Sequence, residues 1–224
     1  MSSEVSVYVI DLRVSTWRAL DHLLTAAERA HRDRFVFECD RQAFTVCRAR
    51  LRHILGDRLG VAPREISFKL GPYGKPHVHD DAVAFNVSHS GDLGLIAISD
   101  QEVVGVDIER ERSLPDFMSI SRRYFSEEER AQLAKLPHEL RQRAFFLCWS
   151  RKEALIKAIG MGLSFGLDQF DVELDPREVA KIKRIDGECS STRWVLHHLT
   201  IAPRYCAALV TPSPAIIHIN SKYH

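Results

Sequence analysis

The sequence predicts an α+β fold made of two similar halves, and three observations carry that reading. Its 224 residues are 45% apolar and 27% charged, a globular balance in which a chain of this length buries about 70% of its unfolded surface. The order strand, helices, strands occurs twice, with a joint near residue 104. In each half a long helical run stops at glycines, Gly56 and Gly60 in the first and Gly160 and Gly162 in the second.

The elements follow in chain order. Residues 5–12 are β-branched and read as a strand; residues 25–56 are Arg-rich, free of Pro and Gly up to Gly56, and read as one helix. Strands are expected at 66–70 and 83–87, with the turn-rich GPYGKP between them. Residues 93–99 and 103–109 read as two strands of a hairpin joined at Asp100-Gln101. Residues 118–135 are helical with a break at Phe125-Ser126, where Ser126 and Glu129 fit a capping box. Pro137 separates this from a long helix over 139–159, and strands close the chain at 170–174, 194–201 and 205–210. The division expected is a first lobe over 1–104 and a second over 105–224.

Thirty-one Lys plus Arg against thirty Asp plus Glu leave a formal net charge of +1. No global field therefore draws the chain to nucleic acid or anionic lipid, and any polyanion has to be held by a local cluster. Five cysteines form no CxxC pair, no basic segment precedes the first apolar run, and nowhere do 18 apolar residues follow one another. A cytoplasmic protein with no membrane span is expected.

Three segments carry chemistry. In VVGVDIER, strand alternation puts Val104, Val106 and Ile108 on one face and Gly105, Asp107 and Glu109 on the other. The two acids stand roughly 6.5–7 Å apart along the strand, within reach of one hard cation such as Mg²⁺; two surface acids on a solvated edge strand fit the same pattern. In CWSRKEALIKAIG, Trp149, Glu153 and Lys157 lie along one helical stripe with Lys152 beside it, and Glu153 and Lys157 also fit an ordinary surface ion pair. In FNVSHSGD, Asn86, Ser88, His89 and Ser90 run up to Gly91, and GPYGKP carries Lys75 in a turn. These groups can ligate phosphate oxygens, or bond their own backbone as turn residues. A serine-hydrolase triad is disfavoured, because adjacent strand residues face opposite ways.

In this order GKP, FNVSHS, GVDIE, FSEEE and WSRKEALIKAIG closely resemble the signature set of the 4′-phosphopantetheinyl transferases, of the long, two-lobed, surfactin-synthetase-activating type. The resemblance covers about residues 25 to 175. It implies two lobes related by a pseudo-twofold axis with the active site in the cleft between them. It also implies transfer of the phosphopantetheine arm of coenzyme A to a serine of an apo acyl, peptidyl or aryl carrier protein, with Mg²⁺ (or Mn²⁺) on the pyrophosphate and adenosine 3′,5′-bisphosphate released. Carried over by motif, Asp107, Glu109 and Glu153 would be metal ligands and Glu153 the base acting on the carrier serine, directly or through a metal-bound water. Lys157 would meet the pyrophosphate and assist the leaving group, and Lys152 would bind phosphate. Lys75, Ser88 and His89 would hold the nucleotide and its 3′-phosphate.

The chain departs from the bacterial pattern at Glu28 and His31, where lysines are expected in the 3′-phosphate pocket; Arg32 and Arg48 are the candidate substitutes, and Arg48 matches an arginine of the animal members. Glu129 is expected to brace its helix rather than bind metal. Residues 110–123, with Arg110, Arg112, Leu114, Phe117 and Met118, are expected to form the carrier docking edge, or a connecting loop with its apolar residues in the core. A monomer is expected, since the cleft lies within one chain. Two other readings fit parts of the pattern: a metal-dependent phosphodiesterase, disfavoured because no richer His and Asp cluster accompanies the three acids, and an inactive carrier-binding scaffold.

Overall fold

Two separate β-sheets, each carrying one 22-residue helix, build the molecule, whose computed structural model describes residues 3–78, 83–100, 103–187 and 193–223. The first half contributes β1 (Ser3–Asp11), α1 (Ala26–Arg32), α2 (Glu38–Leu59), β2 (Phe68–Leu70), β3 (Pro76–Val78), β4 (Ala84–Ser90) and β5 (Leu93–Ser99). The second contributes β6 (Gly105–Arg110), α3 (Phe117–Tyr124), α4 (Glu127–Lys135), α5 (His138–Ile159), β7 (Phe170–Val172), β8 (Ile182–Ile185), β9 (Val195–Leu199), β10 (Tyr205–Thr211) and β11 (Ala215–Tyr223). The sheets run β11-β1-β5-β4 and β6-β10-β9, with β2-β3 and β7-β8 as small ribbons.

Period-two alternation sorts the core into layers. In β5, Ile96 and Ile98 pack beneath Val46 and Ile54 of α2. Leu95 and Ala97 face the other way and, with Val5 and Val7 of β1, pack on Val104, Val106, Ile108, Ala207 and Leu209 of the second sheet. On the far side of that sheet, Cys206, Ala208 and Val210 of β10 meet Phe145, Cys148 and Leu155 of α5. The order is therefore helix, sheet, sheet, helix. In β5 and β10 every residue but the first is buried, by one neighbour or the other. Both long helices end at a left-handed glycine, Gly60 at φ 68° and Gly160 at φ 82°, where a side chain would be strained.

Four sequence expectations are corrected. The single helix over 25–56 is two helices: Thr25 and Glu28 cap α1, Arg32 turns to Asp21 and Asp33, and the chain is extended at Phe37 before α2. The hairpin over 93–109 does not form. Instead β5 pairs with β1 and β4, and β6 pairs with β10 in the other sheet. The tight turn is the one before it, at Gly91 with φ 58° between β4 and β5; part of the expected joint, Gln101, lies outside the described residues. Pro76–Val78, read as turn, is strand β3. Finally, the expected second lobe does not keep its whole chain, because β11 returns to lie parallel on β1 in the first sheet. One strand thereby straps the two halves together.

Candidate active site

The site begins with a close approach that only glycine permits. A Cβ on Gly105 would lie 2.1 Å from the Ala154 carbonyl oxygen and 2.3 Å from the Ala158 nitrogen, so β6 lies directly against α5. That contact carries Asp107, two residues on, to Lys157. The Lys157 Nζ donates to Asp107 Oδ1 at 2.7 Å, to Ser88 Oγ at 3.0 Å and to the Val106 carbonyl at 3.3 Å. Ser88 in turn donates to Asp107 Oδ1 at 2.7 Å and accepts the Ile108 N–H at 3.4 Å. Its one donor and two acceptor positions are then all used. Asp107 is 3% exposed, and its second oxygen, Oδ2, is buried with no hydrogen-bond partner among the described residues.

Glu109 and Glu153 flank this pair. Burial and the Asp107 charge push the Glu109 carboxyl up to about 7, against a hydrogen bond from Ser90 Oγ at 2.9 Å. Burial and Asp107 likewise raise Glu153, partly offset by Lys157. Asp107 is thus close enough for its charge to act on both glutamates. As the side chains stand, however, no three His, Cys, Asp or Glu groups among the described residues converge to hold an ion. The Lys157 ammonium is the cation that Asp107 meets. The donor set nevertheless suits a hard divalent ion: one orphaned buried carboxylate oxygen and two carboxyls whose ionisation is opposed by burial and by the Asp107 charge.

Several residues expected to touch coenzyme A are engaged by partners within the chain. Lys152 is fully buried: its Nζ pairs with Glu129 at 2.8 Å, donates to the carbonyls of Leu167 and Phe170 at 2.6 Å each, and lies 4.2 Å over the Phe170 ring. Its three protons are used, and no phosphate can reach it. Glu129 completes the Ser126 capping box and also accepts the Val172 N–H at 2.9 Å, so it is a brace. Lys75 spans the lobes, its Nζ donating to the carbonyls of Lys157 at 2.6 Å, Val104 at 3.1 Å and Ala158 at 3.5 Å. It clamps the end of α5, and burial pushes its pKa down to about 8. Ser88 bonds Asp107, Lys157 and the Ile108 N–H, as described. His89 points away from Ser88, is exposed, and titrates below its usual range because partial desolvation and the Lys157 ammonium oppose a second positive charge.

The departure at position 28 has a structural account. Glu28 caps α1 through Thr25, takes a bidentate bond from Arg52 at 2.9 and 3.0 Å, and stands 3.6 Å from Arg48. Arg48 lies between the Phe44 and Phe68 rings on the wall of a cavity of about 760 Å³ that His31 also lines. Arg32 is no substitute there, since it is spent on Asp21 and Asp33. On the expected docking edge, Leu114, Phe117 and Met118 pack against the second core, whereas Arg110 is exposed and pairs with Asp92 at 3.2 Å. Of HVH, His77 lines a cavity of about 480 Å³ beside Lys75 and Phe85, and His79 lies outside the described residues. Sequence reasoning did not find that Ser90 holds Glu109; its place two residues after Ser88, on the same strand face, was the available signal.

Comparisons with known proteins identify the family. Residues 103–210 match the model of the 4′-phosphopantetheinyl transferase superfamily, and residues 13–101 match that of the 4′-phosphopantetheinyl transferase N-terminal region. The 4′-phosphopantetheinyl transferase HetI of Nostoc sp. is 36% identical over 189 residues, covering 82% of this chain and 79% of the relative. A 4′-phosphopantetheinyl transferase of Bacillus pumilus is 34% identical over 189 residues, covering 84% and 78%. The human L-aminoadipate-semialdehyde dehydrogenase-phosphopantetheinyl transferase is 28% identical over 217 residues, covering 88% and 70%. The chain belongs to the 4′-phosphopantetheinyl transferase superfamily.

Proposed function

We propose that this enzyme transfers the 4′-phosphopantetheine arm of coenzyme A to a serine of an apo carrier protein in an Mg²⁺-dependent reaction. The serine oxygen forms a bond to the phosphorus bearing the pantetheine arm, the bond from that phosphorus to the bridging oxygen breaks, and adenosine 3′,5′-bisphosphate leaves. The observation that carries this reading is the Asp107–Lys157 pair at the seam of the two sheets, with Glu109 and Glu153 both raised by burial and by the Asp107 charge.

Asp107, Glu109 and Glu153 would hold the ion. Bound there, Mg²⁺ would supply positive charge to the pyrophosphate, which is most of what phosphoryl transfer requires. The chain's own groups do the rest. Glu153, raised by burial, is the base for the serine proton, since a carboxyl lifted toward neutrality both accepts and later releases a proton. Lys157, 26% exposed at its side chain, can leave Asp107 for the leaving bisphosphate. His89, exposed on the opposite side of β4 from Ser88, and Arg48 on the wall of its cavity are the groups we assign to the nucleotide phosphates.

Arg110 and Arg112 offer a basic edge beside β6 for an acidic carrier surface. The site is assembled within one chain, which supports a monomer. No helix among the described residues is long and apolar enough to cross a membrane, and Cys39, Cys47, Cys148 and Cys206 are free thiols, consistent with a reducing cytoplasm. Incubation with Mg²⁺, coenzyme A and a panel of apo carriers tests the reading. A carrier mass gain of one phosphopantetheine is expected; nucleotide hydrolysis with no carrier modified would replace transfer by a phosphodiesterase activity.

A further inference from the structure

We infer that Asn86, Ser88 and Ser90 form a side-chain zipper joining the two lobes, and that Ser90 is a positioning residue that fixes Glu109. The second part rests on the proposed role of Glu109. The observation is a regular one. β4 is the edge of the first sheet and β6 the edge of the second, yet no backbone ladder joins them in either sheet's pairing. Instead Asn86 Oδ1 accepts the Val106 N–H at 2.9 Å, Ser88 Oγ accepts the Ile108 N–H at 3.4 Å, and Ser90 Oγ accepts the Arg110 N–H at 3.1 Å.

Each rung links residues the same distance apart in sequence, so the two strands run parallel and in register. The geometry follows from strand periodicity: side chains at i, i+2 and i+4 of β4 share a face, and backbone N–H groups at i, i+2 and i+4 of β6 share an edge. A direct ladder would draw the strands to about 4.8 Å and fuse the sheets. A side chain as the rung satisfies the same donors at greater separation, and that extra width lies where the acids are. Between the rungs, the serines bond the carboxylates: Ser88 donates to Asp107 at 2.7 Å and Ser90 to Glu109 Oε2 at 2.9 Å. A hydroxyl has one donor and two acceptor positions, so each serine ties a β6 amide and a β6 carboxylate in one group. Ser88 shares Asp107 with Lys157, whereas Glu109 is oriented through Ser90.

The test compares Ser90→Ala and Ser90→Thr with the wild-type full chain. Amide hydrogen exchange, measured without metal or coenzyme A, reads the zipper; steady-state carrier modification reads the positioning. In Ser90→Ala the Arg110 amide should exchange about tenfold faster with the Val106 amide unchanged, as expected for one lost hydrogen bond. The kcat should fall roughly tenfold to a hundredfold, the range for losing a bond to a charged group, with the coenzyme A KM nearly unchanged. Ser90→Thr, which keeps the hydroxyl, should restore both. Should Ser90→Ala not fold, Ser90→Cys, close in size with a weak donor and acceptor, carries the same comparison. Unchanged Arg110 exchange overturns the zipper. Faster exchange with wild-type kcat, or a Ser90→Thr variant as slow as Ser90→Ala, overturns the positioning role. A wild-type chain that modifies no carrier defeats the proposed function instead, and the exchange arm then judges the zipper alone.

Discussion

Replacing Lys152 by Met separates a structural lysine from a phosphate ligand. Its ammonium is wholly buried, 2.8 Å from a Glu129 carboxylate that is itself 1% exposed, and it satisfies the Leu167 and Phe170 carbonyls. Removing one member of such a buried pair leaves the other charge uncompensated, at a cost of about 3–5 kcal/mol. For a domain of this size each kcal/mol lowers the midpoint of thermal unfolding by roughly 2–4 °C, so Lys152→Met should melt about 6–20 °C below wild type. Because no phosphate can reach this nitrogen, the coenzyme A KM, measured well below the variant's transition, should stay near wild type. Thermal unfolding by circular dichroism and carrier-modification kinetics give the two readouts. A variant with wild-type Tm and a coenzyme A KM raised tenfold or more would refute the burial argument and return Lys152 to the binding site.

Asp107→Ala and Glu153→Gln should each lower turnover by about 10²–10³ with the fold kept, the usual loss for one electrostatic stabiliser; a folded variant of either kind with wild-type rate would count against the site. Reversing Arg110 and Arg112 to Glu should raise the carrier KM while coenzyme A affinity, measured by calorimetry, is unchanged; equal carrier kinetics would remove the docking edge. Glu109 gives a pH dependence of stability in metal-free protein. Its folded pKa of about 7 lies above its ordinary 4.5, so between these values the folded state binds more protons than the unfolded, and stability falls as pH rises through that window. Urea midpoints should therefore show Glu109→Gln gaining on wild type at pH about 8 relative to pH about 4; a difference independent of pH would contradict the cause assigned to the shift.

Much of this architecture was legible because local physics and tertiary packing agree. The alternation of Val104, Val106 and Ile108 against Asp107 and Glu109 survives intact, since the same period that defines the strand decides which side meets the first sheet. The Ser126–Glu129 cap and the glycine ends of the long helices are local devices that need no partner. What was not legible depended on distant chain. Residues 93–109 alternate like a hairpin whichever sheet each strand joins, and only the packing of two sheets decides that. Motif order placed Lys152 beside Glu153, but one helical step of about 100° separates them, enough to send Glu153 toward Asp107 and Lys152 into the core beneath Phe170. The zipper was hidden for the same reason: Asn86, Ser88 and Ser90 are ordinary turn-approach residues until β6 is laid beside them. The return of β11 to β1 likewise has no local signal.

Titration with Mn²⁺ as a paramagnetic stand-in for Mg²⁺, read by electron paramagnetic resonance on wild type and Asp107→Asn in the presence of coenzyme A, bears most directly on the proposed three-carboxylate site. One tightly held ion per wild-type chain, lost or strongly weakened in Asp107→Asn, is the predicted result. A wild-type chain that leaves all the manganese free, or an Asp107→Asn chain that holds it equally well, would contradict the account.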